Sequence, residues 1–337
     1  MHVIFAYFSN DNNDIKLYEK ELDKSILKYY DLYLAVFDLL CELRFFAENK
    51  IEQRKNKHIP TFEDLNPNEK FVKNQVLLDI EKMMSEFKFE KNNRFQWSRY
   101  PEIIKHLYNN LEASDAYSEY MQQPVISYSK DKQILYYIIE HLIANNDELY
   151  DLLEDLSIYW NDDIEMALSM NIRTIQRMKP VKEKTNKLLP LFKNREEQDF
   201  VIKLFRKTIV NHERNEKIIT DISSNWEADR IAKADKIILE IAMTELAEFP
   251  LVPIAVTMNE YIDMAKYYST ERSHSYINGM LENTVSVLKE QGLINKIGIG
   301  LIEVENLYNN VGEEYDKEET IDKEDEILNV NAYSTNY

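Results

Sequence analysis

Residues Asn225–Leu288 read NWEADRIAKADKIILEIAMTELAEFPLVPIAVTMNEYIDMAKYYSTERSHSYINGMLENTVSVL, and their pattern decides the fold. Three helices in succession fit it. The first is predicted from about Asp229 to Ala247, because Ile231, Ala234, Ile238, Ile241, Ala242 and Leu246 recur at helical spacing and make one apolar face. It has to stop before Pro250, since proline disfavours helix in the residue ahead of it. The second opens near Pro253, where a missing N–H costs nothing in a first turn. Ile254, Met258, Tyr261, Ile262 and Ala265 supply its apolar side. After the polar break Ser269-Thr270-Glu271-Arg272, Thr270 or Ser273 can cap a third helix. That helix carries Tyr276, Ile277, Met280, Leu281, Val285 and Leu288 and ends at Gly292, a left-handed stop.

These residues also resemble a family. Trp226, Asp229-Arg230-Ile231-Ala232, Asp235, Ile238-Leu239, Ala242, Glu245-Leu246, Pro253, Asn259-Glu260, Ala265-Lys266, Ser273 and Ile277-Asn278-Gly279 match, in order and at family spacing, the C-terminal half of the NusB family of transcription antitermination factors. The resemblance reaches back to about Glu196, where DFVIKLFRKTI looks like the family's preceding helix, and returns at the start, over His2 to Asp14. Between those ends lies a long segment similar to the enlarged forms of some bacterial lineages. The implied architecture is all-α, a NusB-like helical bundle with a large helical insertion. Its expected divisions are 1–52 and 196–295 for the core, 53–195 for the insertion and 296–337 for an acidic, disordered tail.

Composition agrees with a helical chain and excludes several function classes. There are 337 residues, 44% of them hydrophobic, enough for a sizeable core. The five glycines lie at 279, 292, 298, 300 and 312. A glycine-free run up to Asn278 holds neither a P-loop nor a dinucleotide-binding turn, which need glycine for close backbone approach to phosphate. No window is apolar enough to span a membrane, and MHVIFAYF is too short for a signal peptide. A single cysteine, Cys41 in FDLLCEL, excludes an internal disulfide framework, fits a reducing cytoplasm and reads as a buried helical residue. The six histidines are scattered, Asp162-Asp163-Glu165 lacks the spacing of a calcium loop, and no serine sits in a nucleophile elbow. The expectation is therefore no catalytic residue, no metal, no cofactor and no enzyme.

Earlier in the chain, Asp14 to about Lys50 reads as one long helix with Ile26, Tyr30, Tyr33, Phe37 and Leu40 on one side, joined to the opening helix His2 to Ser9. Relatives carry an arginine-rich lead before that opening helix. Here the sequence starts inside it, either because translation is assigned to an internal methionine, which is the expectation, or because the lead is absent. Gln53 to Pro67 reads as a loop. Helices broken at Pro101, Pro124, Pro180 and Pro190 follow, the clearest covering Lys130 to Leu156. The aromatics of this region (Trp97, Tyr100, Tyr108, Tyr117, Tyr120, Tyr136, Tyr137, Trp160) read as core filling rather than as base-stacking platforms.

Charge is the main objection to nucleic-acid binding. The net value is −19, and affinity for phosphates rests on cations. Two stretches soften it. Arg173 to Lys207 holds eleven Lys or Arg against four acids, either a backbone track for RNA or a solvated face that offsets neighbouring acids. Glu303 to Glu326 concentrates eleven acids against two lysines in the expected tail.

The resemblance implies specific roles. NusB proteins bind boxA RNA of ribosomal RNA leaders and pair with the small-subunit ribosomal protein called NusE, in RNA polymerase complexes with other Nus factors. Carried to matching positions, Asp235 stands where the family has an acid facing the ribosomal partner, and Phe5 and Tyr276 stand at aromatic positions near the RNA. An exposed ring stacks on an unpaired base for roughly 1–3 kcal/mol. Both rings also read as core residues. Arg272 replaces an acid of some relatives and is a phosphate candidate, as are Lys203, Arg206, Lys207 and Lys266. Glu240 replaces a basic residue often found there. Asn278-Gly279 reads as a close helix contact, with Asn278 bonding to the second helix. The rival reading is an adaptor of NusB fold that has lost RNA binding.

Overall fold

The structure, a computed structural model, describes residues 1–10, 14–88, 94–125, 127–180, 186–223, 231–269 and 273–301. Among them there is no strand. The chain divides into two compact units: residues 1–21 with those from 194 onward, and residues 22–193. The expected insertion began at 53; the division instead falls inside the second helix, at Glu21/Leu22.

In chain order the structure opens with α1 (His2–Ser9) and α2 (Ile15–Lys55). Asp14 starts α2 by accepting the Lys16 amide through Oδ1 at 3.0 Å. The first turns of α2 belong with α1: the Tyr18 ring meets Tyr7 edge-on at 5.3 Å, and Asn10 donates to the Tyr18 hydroxyl at 2.8 Å. Beyond Leu22, α2 is the axis of the other unit. From Leu32 to Leu43 every residue except Glu42 is buried, so the expected one-sided stripe is in fact a helix enclosed on all sides. LYLAVFDLLCEL reads that way because apolar residues fill its circumference. Asp38, the charge inside it, is answered by the Arg94 guanidinium, whose Nη2 lies 2.6 Å from Oδ1.

Around that axis lie α3 (Phe62–Leu65), α4 (Gln75–Glu86), α5 (Pro101–Glu112), α6 (Asp115–Gln122), α7 (Tyr128–Tyr137), α8 (Asp147–Leu156) and α9 (Ile164–Arg177). Local chemistry sets their starts. Asn74, Ser114, Ser127 and Asn146 each accept an N–H of the first turn, and Pro101 opens α5 rather than breaking a helix. The single helix expected over Lys130–Leu156 is two. α7 runs into a π-helical stretch, Ile138–Ile143, and Asn146 then caps α8 through the Leu149 amide at 2.8 Å. The aromatics fill the core. Trp97 and Trp160 send their indole N–H groups to backbone carbonyls of α2, Ala35 at 2.7 Å and Lys28 at 2.8 Å. Cys41 is buried, and burial pushes its thiol up to about 12.

The other unit continues with α10 (Arg195–Val210), α11 (His212–Ser223), α12 (Lys233–Glu248), α13 (Ile254–Tyr268) and α14 (Ser273–Glu290). The three helices read from the sequence are present, although Trp226, Asp229 and Arg230 lie outside the described residues. α12 is central: all ten residues from Ile237 to Leu246 are buried. Its polar members are satisfied from neighbouring helices. Asn215 of α11 donates to Thr244 Oγ1 at 3.1 Å, and Thr257 and Tyr261 of α13 donate to Glu245 at 2.7 and 2.9 Å. α14 ends in a Schellman motif at Gly292 (φ +68), with Leu293 N–H to Leu288 O at 2.8 Å and Gly292 N–H to Lys289 O at 3.0 Å.

Two details differ from expectation. Asn278 bonds within its own helix, to Glu282 Oε1 at 3.1 Å, and a Cβ built on Gly279 meets nothing within 4 Å, so no close helix approach requires that glycine. Residues 296–301, which the expected tail included, are packed against the α12–α13 turn. Lys296 donates to Phe249 O and Ile297 N–H to Pro250 O, both at 3.0 Å, and a Cβ on Gly300 would collide with the Pro250 carbonyl. Residues 302–337, which hold the rest of that tail, lie outside the described residues.

Candidate nucleic-acid interface

α1 is a short apolar helix that buries Ile4 and Tyr7 and leaves Phe5 37% exposed. Lys233, at the first residue of α12, reaches over it. Its ammonium lies 5.1 Å from the Phe5 ring centroid and donates to Ser9 Oγ at 2.8 Å and Phe8 O at 3.3 Å. A cation at the C-terminal end of α1 is favourable against the helix dipole. Phe5 is thus an exposed ring beside a lysine, a pairing suited to a base and its phosphate.

The other expected contacts are placed less simply. Asp235 is 3% exposed, and its carboxylate accepts the Ser269 hydroxyl, so it is a buried acid rather than a surface one. Tyr276 is half-buried; burial, then the nearby Asp235 charge, pushes its hydroxyl up. Those two residues are brought together by the fold. Arg272 lies outside the described residues, and Lys266 pairs with Asp263 at 2.6 Å along its own helix.

The basic stretch is divided between the two units. Arg173, Arg177, Lys179, Lys187 and Lys193 belong to one, Arg195, Lys203, Arg206 and Lys207 to the other, and Lys182 and Lys184 are outside the described residues. On α10 the cations serve internal contacts. Arg206 makes a two-pronged pair with Glu19 of α2, with Nη2 to Oε2 at 2.9 Å. Lys207 pairs with Glu248 at 3.0 Å, and Lys203 lies 4.9 Å from the Phe249 ring centroid. That is the charge-offsetting alternative.

A cleft that the sequence did not suggest opens between α1, α11 and α12. It has a volume of about 350 Å³ and is lined by Phe8, His212, Glu216, Ile231, Lys233, Lys236, Ile237 and Glu240. Phe8 stacks on the His212 imidazole at 4.1 Å, and His212 Nδ1 lies 2.7 Å from Glu240 Oε2. Burial pushes the Glu240 carboxyl up, and the His212 hydrogen bond pulls it back. The one signal in the sequence was Glu240 itself, an acid where a base is expected. Among the described residues no group of three or more His, Cys, Asp or Glu is placed to hold a metal ion, and no helix is long and apolar enough to cross a membrane.

Comparison with known proteins places this geometry in context. Residues 164–286 match the family described as the NusB family. The match begins at the start of α9, earlier than the resemblance traced from the sequence. The chain is 39% identical over 124 residues to a transcription antitermination protein NusB of Salinibacter ruber, covering 37% of this chain and 78% of that relative. It is 36% identical over 107 residues to the protein of that name in Chloroherpeton thalassium, covering 32% of this chain and 51% of the relative. A third, from Natranaerobius thermophilus, is 34% identical over 84 residues, or 25% of this chain and 60% of the relative. No solved structure gives a significant match.

Proposed function

This chain belongs to the NusB family, and on that premise we propose that it is a transcription antitermination factor. In this reading it binds boxA-type leader RNA jointly with the ribosomal protein NusE, in RNA polymerase complexes with other Nus factors. The observation that carries the reading is the identity to the Salinibacter protein over most of that relative's length. The exposed Phe5 ring under Lys233 supports it with a stacking surface and a cation in one place. Tyr276, half-buried beside Asp235, and Arg272, by its place in the sequence, are the further RNA candidates, and Asp235, held by Ser269, is the candidate for the partner-facing side. Each partner supplies part of one composite site, so each strengthens the other's binding by the same factor.

The test is a titration of a boxA-like leader RNA and a scrambled control against the full chain, with and without NusE. Selective binding that tightens with NusE is the expected result. The ion pairs of Arg206, Lys207 and Lys266 favour a second reading, an adaptor that keeps NusE and no longer binds RNA. Binding to NusE with equal affinity for leader and control would support the adaptor.

A further inference from the structure

The cleft between α1, α11 and α12 holds a combination that phosphate binding does not explain. At its floor is a carboxylate, Glu240, which is 3% exposed and is bonded through Oε2 to His212 Nδ1 at 2.7 Å. Its walls are apolar, Ile231 and Ile237, with the Phe8–His212 stack alongside. Its outer charged groups are two ammonium groups, Lys233 and Lys236, and the exposed carboxylate of Glu216. A volume of about 350 Å³ suits a small planar ligand.

We propose that this cleft is a guanine pocket: Glu240 accepts the N1–H and N2 amino protons of one guanine, and Lys236 faces the phosphate attached to it. An ionised carboxylate only accepts hydrogen bonds. Guanine is the one RNA base with two adjacent donors on its pairing edge. Adenine and cytosine set a lone pair beside their amino group, and uracil flanks its single N–H with two carbonyls, so each brings an acceptor against Glu240. A paired, charge-assisted contact of this kind is the strong form of hydrogen bond. An arginine side chain presents similar donors and is the competing occupant that the test below includes; a nucleotide differs in bringing a phosphate for Lys236, at a lining that holds two lysines and two carboxylates, Glu216 and Glu240. The inference rests on the RNA-binding reading and adds to it a base identity: a single-stranded leader whose bases are free to enter a pocket would place a guanine here.

The test uses the full chain, with isoleucine methyl groups labelled for NMR, titrated with the 5′-monophosphates of guanosine, inosine and adenosine. Ile231 and Ile237 report on the cleft. Guanosine monophosphate should move both signals and half-saturate at about tenfold lower concentration than adenosine monophosphate, the worth of one hydrogen bond to a charged group. Inosine monophosphate keeps N1–H, lacks the amino group and should fall between. Glu240→Gln sets an amide N–H against the donors and should bring guanosine monophosphate to the adenosine level. Lys236→Met should weaken all three alike, so the ranking remains testable should the Glu240 variant not fold. Equal binding of the three nucleotides overturns the proposal. So does a guanine preference that survives Glu240→Gln, or a cleft moved by acetylarginine amide and by no nucleotide. Leader RNA titrated in parallel separates the two ideas. Leader selectivity without guanine preference removes the pocket alone; guanine preference without leader selectivity removes the leader reading alone.

Discussion

Glu245 offers the sharpest test of how the family-like unit is held together. It projects from the buried face of α12, is 7% exposed, and accepts the hydroxyls of Thr257 and Tyr261 from α13 at 2.7 and 2.9 Å. Glu245→Ala leaves both hydroxyls buried without that acceptor. At about 1–3 kcal/mol for each unsatisfied group, the expected loss is about 3–5 kcal/mol once the vacated volume is included. Glu245→Gln keeps the volume and one acceptor, and a hydroxyl also accepts, so its expected loss at neutral pH is within about 1 kcal/mol. The two variants also differ in pH response. Burial raises the Glu245 carboxyl above its ordinary value, with the two hydroxyls pulling it back. A raised acid binds more protons folded than unfolded, so its contribution to stability falls as pH rises from its unfolded value, about 4.3, through its folded one. The parent should therefore gain stability on acidification through that window, and Glu245→Gln should gain less. Asp38, Asp131 and Glu240, also raised first by burial, remain in the variant, so its slope shrinks without vanishing. The assay is urea unfolding followed by circular dichroism at several pH values. Equal pH slopes in parent and Glu245→Gln, or Glu245→Ala within about 0.5 kcal/mol of the parent, would refute the reasoning.

Three further outcomes are expected. Trp97→Phe keeps most of the buried ring but loses the bond to Ala35 O, for about 1–2 kcal/mol, whereas Trp97→Ala should lose about 3–5 kcal/mol in the same denaturation assay. Gly300→Ala drives a methyl into the Pro250 carbonyl and should release residues 296–301 from the α12–α13 turn, read as faster proteolysis after Lys296. Because Arg206 and Lys207 are paired with Glu19 and Glu248 and Lys203 lies over Phe249, replacing the three together by alanine should leave the salt slope of leader RNA binding close to the parent's. A slope flattened by about 2, at about 0.7 per cation for single strands, would instead make them a track for RNA.

The C-terminal helices were legible because their signals are local. Pro250, Pro253 and Gly292 punctuate them, and each apolar residue lies within a turn or two of the next. Enclosed helices were harder. A helix buried all round has no one-sided period, so α2 read as a stripe although LYLAVFDLLCEL fills its whole circumference. The break between α7 and α8 was hidden for a related reason: apolar residues continue through it, and only the Asn146 cap marks it. Site residues failed where partners are distant in the chain. Nothing near Arg206 announces Glu19, and nothing near Phe8 announces His212. Charge-offsetting pairs and clefts are products of tertiary structure, whereas caps and stops are written beside the residues they serve.

The same distinction resolves the objection from net charge. Residues 133–172, in the unit around α2, contain nine acids and no lysine or arginine. Glu303 to Glu326 carries eleven acids against two lysines. Each stretch contributes nine net negative charges, so the rest of the chain is within one charge of neutral. At physiological ionic strength an exposed charge acts over about 8 Å, so an acidic stretch weakens RNA binding only where it lies near the bound strand. The total of −19 is therefore a poor guide to any one surface. What bears on the proposed RNA contact is the local arrangement: Lys233 stands over the Phe5 ring, and Lys233 and Lys236 line, with Glu216, a cleft whose buried acid Glu240 is bonded through Oε2 to His212. Salt should accordingly weaken leader binding, as it does for a cationic surface, and not strengthen it as relief of a global repulsion would.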